Sequence, residues 1–294
     1  VGTNGFYAMK AHWSEHPDRD ETWAETEKSR IGEERFRREH ECEFLIFDET
    51  LISSLVLADM EGVAPVETTG QVRWFKRPTP GNTYLTSLDP SMGTGGDYAA
   101  IQVFELPTFE QVAEWHHNQT PMNQQVRILQ GINKHIHDTI MEKDASASPQ
   151  IFYSMENNSI GEAALMRVMD IGEENIQGMF LSEPIRKGHR RKFRRGFNTT
   201  AKHKIDACTK FKELIENDKM KINSQLLISE LKDFVASGMS YNAKPGQHDD
   251  LVSACLLMTR MMKVLADFDP KIFEKWTDRT SQITPMPIFG SFTG

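Results

Sequence analysis

The feature that most constrains this chain is a series of three short apolar runs, residues 84–89 (YLTSLD), 99–106 (AAIQVFEL) and 111–118 (QVAEWHHN). Each is rich in β-branched or aromatic residues and is set off by Gly- or Pro-containing turns, so the trio reads as a three-strand meander. A helix is expected over 121–137, where Val126, Leu129, Ile132 and Ile136 recur at helical spacing, followed by another strand over 150–155. Ser159 and Glu162 read as a Ser-x-x-Glu capping box that opens a helix through residue 168. A strand over 175–181 and helices over 205–217, 226–235 and 250–265 complete the pattern. Strands in series, then helix, strand, helix, strand, imply an α/β fold in which helices cover a mixed sheet.

Either side of this core the texture changes. Residues 1–70 look helical and polar, with Trp13, Trp23, Ile31, Phe36 and Phe44 as scattered apolar anchors. The tail from 266 carries Pro270, Pro285 and Pro287 and is expected to pack loosely. The first residues, starting at Val1, read as a cut from a longer protein. A length of 294 residues, 38% of them hydrophobic, suffices for one large domain plus an appendage. The three cysteines, Cys42, Cys208 and Cys255, lie too far apart in sequence for a disulfide framework or a Cys-x-x-Cys zinc site, which fits a reducing cytoplasm. No long charge-free apolar run or basic-then-apolar leader predicts a membrane span or a secretion signal.

Charge is unevenly spread. The net charge of −8 argues against nonspecific coating of nucleic acid. Residues 186–204 (RKGHRRKFRRGFNTTAKHK), however, hold nine of the 34 Lys and Arg and no acid, which leaves 25 basic against 42 acidic residues elsewhere. A +9 strip on a −17 body restricts where a phosphate backbone can lie. Arg190, Arg191, Lys192, Arg194, Arg195, Lys202 and Lys204 are the candidate DNA contacts, with Phe193 and Phe197 interleaved; a solvated loop is the competing reading.

Three carboxylates fall at element ends. Asp89 closes its strand immediately before Pro90, which cannot donate a ladder hydrogen bond; taken alone, Asp-Pro reads more readily as a turn. The loop after it, SMGTGG, is flexible enough for close backbone approach, but no Lys-Ser or Lys-Thr follows the glycines, so it is not a Walker A loop. Glu156 ends the strand QIFYSM, where it either emerges at a carboxyl end or favours the next helix dipole. Asp249 and Asp250 open the last helix, one capping it and the other pointing elsewhere. Oxygen donors of this kind suit Mg²⁺ or Mn²⁺, and two such ions activate a water and stabilise the departing 3′ oxygen of a phosphodiester. Asp97 is a further candidate ligand and His248 a candidate partner of an aspartate.

In the contexts SLDPSMGTGGDYAA, IFYSMENNSIG and GQHDDLVSA, these acids resemble the three acidic motifs of the nuclease domain of tailed-bacteriophage large terminases, over roughly residues 71–265. Upstream, HPDRDETW and FRREHECEFL are similar to the segment joining the ATPase and nuclease halves of that family. The resemblance implies a ribonuclease H-like sheet flanked by helices over 71–265, a helical linker from the ATPase half over 1–70 and a tail over 266–294. It implies a two-metal endonuclease that cuts concatemeric viral DNA in the host cytoplasm, with double-stranded DNA, the portal, the small terminase subunit and the ATPase half as partners. Carried over by position, Asp89, Glu156 and Asp250 would be the catalytic metal ligands, with Asp97 and Asp249 supporting. Without a Walker A motif, no ATP hydrolysis is expected. The basic run is longer than the family pattern.

Two other readings compete. A transposase, integrase or junction resolvase would share such a sheet, although the HPDRD and ECEFL segments point away from these. A non-catalytic DNA-binding adaptor would bind DNA regardless of divalent metal.

Overall fold

A computed structural model of the protein describes residues 12–41, 49–184 and 195–268. After a 3-10 turn at Trp13–Glu15 come α1 (Glu21–Ile31) and α2 (Glu33–His40). Asp20 caps α1 by accepting a hydrogen bond from the Trp23 N–H at 2.8 Å. Trp13, Trp23 and Phe36 meet in a small aromatic core, with ring centroids about 6 Å apart. Four of the expected N-terminal anchors thus cluster, with Ile31 packed alongside; Phe44 lies outside the described residues, as do Cys42 and residues 269–294.

The main body follows with α3 (Ser54–Asp59), β1 (Glu67–Thr69), β2 (Val72–Trp74), β3 (Thr83–Asp89), β4 (Ala99–Leu106), β5 (Glu110–His117), α4 (Met122–Lys143), β6 (Gln150–Met155) and α5 (Ser159–Ile171). Then come a 3-10 turn at Glu173–Asn175, β7 (Met179–Phe180), α6 (Ala201–Glu216), α7 (Gln225–Asp233), β8 (Phe234–Ser237), β9 (Ser240–Ala243) and α8 (Asp250–Phe268). The expected meander is β3, β4 and β5, antiparallel throughout. Helix α4 returns the chain so that β6 joins β3 in parallel, and a seven-stranded sheet results in the order β1-β2-β5-β4-β3-β6-β7.

Because successive strand residues point to opposite faces, each central strand feeds two cores. Tyr84, Leu88, Ile101, Val103, Tyr153 and Met155 face α4 and α5, while Leu85, Ala100, Phe104 and Phe152 face α6, α7 and α8. Strand β4 is buried along its whole length, which is why its sequence is apolar on both sides instead of alternating.

Several boundaries differ from expectation. The sheet begins before residue 71, since β1 pairs with β2, and Leu51, Ile52 and Leu57 join the core beneath α6 to α8. Helix α4 continues to Lys143 because Ile140 extends its buried stripe. Helix α6 starts at Ala201, capped by the Thr200 hydroxyl. The expected strand over 175–181 contracts to β7. The helix expected through 235 stops at Asp233, and the chain turns instead into a β8–β9 hairpin whose two-residue tip, Gly238–Met239, uses the positive φ of Gly238.

Phe211 of α6 is fully buried between helix and sheet. Phe211→Ala should destabilise the protein by about 3–5 kcal/mol, measured as a lowered urea midpoint at unchanged m-value.

Candidate metal centre

The site is built by strand register. Leu88 pairs with Met155 in the parallel β3–β6 ladder, and the Glu156 N–H donates to Leu88 O at 3.1 Å. The next residues, Asp89 and Glu156, therefore stand side by side where the sheet ends. Asp89 shares its face of β3 with Leu85 and Ser87. Ser87 is small, and its hydroxyl donates to Ala254 O of α8 at 2.8 Å, so the helix lies close over the strand end. Asp250 is one turn before Ala254 and is carried to the same end.

The acids sense one another. The Asp89 carboxyl is pushed well above its ordinary range, first by burial and then by the charge and hydrogen bond of Glu156 and by Asp250 and Asp249. Asp250 is pushed up to about 6 by burial and by Asp249, with Asp97 adding to the effect, while His248 and the Tyr98 backbone N–H oppose it. Its Oδ2 is buried without a hydrogen-bond partner, with His248 Nδ1 3.6 Å away. Asp97 is exposed before β4, within electrostatic reach of Asp250.

Glu156 is held by residues to which the sequence pattern gives other roles. The cap of α5 is Asn158, not Ser159: Asn158 Oδ1 accepts the N–H groups of Ile160 and Gly161 at 3.0 and 2.8 Å. Asn158 Nδ2 also donates to Glu156 Oε2 at 2.8 Å, so one amide caps the helix and fixes the acid. An Asn one residue ahead of the supposed cap is the available signal, since Asn caps as well as Ser. A Cβ at Gly161 would lie 1.8 Å from Glu156 O, so only glycine lets α5 start against this backbone.

Asp249 does not cap α8 with its side chain. Its Oδ2 accepts the Ala243 N–H at 3.3 Å and lies 3.8 Å from Lys204 Nζ, tying β9 and α6 to the helix start. The α8 amides are capped from outside by Glu230 of α7, whose Oε2 accepts the Val252 N–H at 3.1 Å. No local pattern announces a cap 22 residues upstream. Burial pushes Glu230 up to about 9, so at neutral pH it caps without adding negative charge. The loop after Asp89 is pinned, not free: Gln125 bonds both Ser91 N and Ser91 O, and Gly93 packs so tightly that a Cβ would sit 2.2 Å from Thr120 O.

Asp89 and Glu156 form one wall of a cleft of about 100 Å³, and Thr199, His203, Lys204, Ser253 and Arg260, with the apolar Ala207, Leu256 and Leu257, line the rest. Arg260 donates to Glu183, to Asn198 O and to the Thr199 hydroxyl, and Lys204 donates to Asn242 Oδ1 at 2.8 Å. Of the basic strip, Lys204 thus reaches the cleft, whereas Lys202 is exposed on α6. Arg195 pairs with Glu173 and lies over the Phe180 ring. Phe197 is core, paired beside Glu156. Arg190, Arg191, Lys192, Phe193 and Arg194 lie outside the described residues. Arg260 and His203, whose side chains lie 3.4 Å apart in the cleft wall, escape a sequence reading, Arg260 because an isolated basic residue on a helix looks like ordinary surface charge and His203 because it sits among the lysines of the basic strip.

Among the described residues no three His, Cys, Asp or Glu side chains stand close enough to make a finished metal cage. The donor set nevertheless fits a hard divalent cation. All its members are carboxylates, burial and neighbouring acids raise Asp89 and Asp250, and Asp250 Oδ2 is buried without a hydrogen-bond partner. Asp89, Glu156 and Asp250 would hold it.

A mixed sheet with helices on both faces and acids from β3, β6 and α8 at one end defines a ribonuclease H-like protein with an acidic centre. The model of the family described as the Terminase RNaseH-like domain matches residues 86–261, a stretch that holds all three acids, and the chain belongs to this family. The large terminase nuclease of thermophilic phage G20c, solved with bound magnesium, is 17% identical and covers 72% of this chain and 96% of its own, at a TM-score of 0.52. The large terminase nuclease domain of Thermus phage P74-26 is 17% identical over 69% of this chain and 90% of its own, at 0.48. A human cytomegalovirus terminase nuclease domain, manganese-soaked and inhibitor-bound, is 12% identical over 71% and 94%, at 0.46.

Gly161→Ala should cost about 1–3 kcal/mol, because backbone must give way to the new methyl group. Thermal unfolding measures the loss, and amide shifts centred on Glu156 should accompany it.

Proposed function

We propose that this chain is a divalent-metal-dependent endonuclease that hydrolyses phosphodiester bonds of double-stranded DNA, cutting concatemeric viral DNA as genomes are packaged. The observation that carries the reading is the convergence of Asp89, Glu156 and Asp250 at one sheet end, with a buried Asp250 oxygen lacking a hydrogen-bond partner. Membership of a terminase family supports the packaging role. In this reading the portal, the small terminase subunit and the ATPase half are its partners, and the host cytoplasm is its place of action.

When bound, two Mg²⁺ or Mn²⁺ ions supply the Lewis acidity that activates water and stabilises charge on the leaving 3′ oxygen. Asp89, Glu156 and Asp250 hold them, with Asp249 and Asp97 adding negative potential. Asn158 keeps the Glu156 carboxylate turned to the cleft. Lys204, His203 and Arg260 form the side on which the phosphate backbone rests. Water attacks phosphorus as the bond to the 3′ oxygen breaks, and that oxygen takes up a proton.

Asp89→Asn, Glu156→Gln and Asp250→Asn should each abolish nicking and linearisation of plasmid while the melting temperature does not fall. Full activity in any one removes that residue from the centre. Mn²⁺ or Mg²⁺ should support cutting and Ca²⁺ should not, because its larger, flexible shell holds the attacking water poorly. DNA binding that is indifferent to metal, with no cutting under any condition, would instead mark a non-catalytic adaptor.

The basic strip is assigned to DNA. Replacing Arg190, Arg191 and Arg194 with Ala should weaken binding and lower the slope of log affinity against log salt by about 0.9 for each phosphate no longer neutralised. Arg195 is left out because Glu173 already pairs with it. An unchanged affinity and slope would show that the strip does not touch DNA.

A further inference from the structure

Four polar side chains from four separate parts of the chain close around the start of α8, and the proposed reaction uses none of them directly. Glu230, on α7, accepts the Val252 N–H and sends its other oxygen to within 3.7 Å of His116 Nε2 on β5. The His116 ring stacks on Tyr98, with centroids 4.1 Å apart and planes 19° from parallel. Tyr98, which enters β4 directly after Asp97, meets His248 edge-on at 4.8 Å, and His248 Nδ1 lies 3.6 Å from Asp250 Oδ2. The contacts thus form a continuous arc from α7 through β5 and the entry of β4 back to Asp250.

This arc is costly to keep. His116 Nε2 is buried without a hydrogen-bond partner, and Glu230 is largely buried beside a helix that already presents two aspartates. Apolar residues of the same volume would fill such a position at lower cost in stability. What polar and aromatic groups add here is direction: a stacked pair and a carboxylate cap fix the axial position and rotation of the first turn of α8. That turn carries Asp250, whereas Asp89 and Glu156 are fixed independently by strand register and by Asn158. The arc therefore joins the Ser87–Ala254 hydrogen bond and the Asp249 contacts in setting where Asp250 stands relative to the strand pair.

We propose that Tyr98, His116 and Glu230 are positioning residues that hold the first turn of α8 so that Asp250 completes a divalent-cation site with Asp89 and Glu156. The inference rests on the metal-dependent reading above and adds the residues that set the site's affinity.

The test is Mn²⁺ binding by the full chain, followed by the electron paramagnetic resonance signal of free Mn²⁺, with plasmid cutting measured across Mn²⁺ concentrations in parallel. Tyr98→Ala and His116→Ala should weaken Mn²⁺ binding by about 10–100-fold, as loss of groups supporting metal ligands commonly does. Cutting should need correspondingly more Mn²⁺ and recover substantially at saturation, a split that loss of folded protein would not give. Tyr98→Phe, which keeps the ring, and Glu230→Gln, which keeps a neutral cap, should bind Mn²⁺ as the parent protein does. Where an alanine variant fails to fold, Tyr98→Leu preserves apolar volume without the stacked ring and is expected to show the same loss. Folded variants lacking the Tyr98 ring or the His116 imidazole that bind Mn²⁺ with parental affinity would overturn the proposal. The parent protein and Asp250→Asn separate the two levels: no Mn²⁺ binding by the parent, or none lost in Asp250→Asn, overturns the metal centre itself.

Discussion

Everything around the centre answers to one electrostatic conflict, the placing of Asp89 and Glu156 side by side at the end of a buried parallel ladder. Neither can turn away, because register and side-chain alternation fix both on the face that α8 covers. Burial first, and then the like charge of Glu156, raise the energy of the ionised state and push the Asp89 carboxyl upward. A fold accepts such a cost when the surrounding structure over-determines it. Here two extensive cores, one on each face of the sheet, do so.

The surrounding devices then sort by what they do to that conflict. Asn158 commits its amide N–H to Glu156 and its carbonyl to the α5 amides, so the acid cannot swing out without uncapping a helix. Gly161 lets the helix begin against the Glu156 carbonyl. Gln125 and Gly93 fasten the loop that leaves Asp89, keeping that carboxylate at the strand end. Glu230 caps α8 in neutral form, which leaves the negative potential with the residues that face the cleft.

The fold is legible in the sequence where local chemistry decides it. The β3–β5 meander, β6 and the start of α8 lie within a residue of the positions read from apolar periodicity and turn residues, and the three acids fall at element ends for the same reason. What escapes is decided elsewhere in space. The three-residue strands β1 and β2 carry too little pattern to register; β2 pairs with the β5 edge and β1 with β2. The β8–β9 hairpin follows an amphipathic helix so directly that helical periodicity runs into it. Glu230, His116 and Arg260 matter through contacts between elements distant in sequence, which no local spacing encodes. Asn158 alone is readable locally, and the serine beside it, with Glu162 three residues on, masks it.

The cationic wall bears on how DNA reaches the acids. Arg260 is committed to Glu183, and Lys204 lies against Asn242 and near Asp249, so the charge opposite Asp89 and Glu156 is already largely compensated within the protein. A phosphate entering the cleft would meet Asp89 and Glu156, with Asp250 in electrostatic reach of Asp89, and little uncompensated positive charge. Charges more than roughly 10 Å away are screened at 0.1 M salt, so the carboxylates nearest a phosphate act on it most strongly. In the proposed function, the strip would bring the duplex to the surface, while the scissile phosphate would enter once divalent cations neutralise the acids. On that reading, capture of DNA and its admission to the centre would be separate electrostatic steps, the first governed by salt and the second by divalent metal.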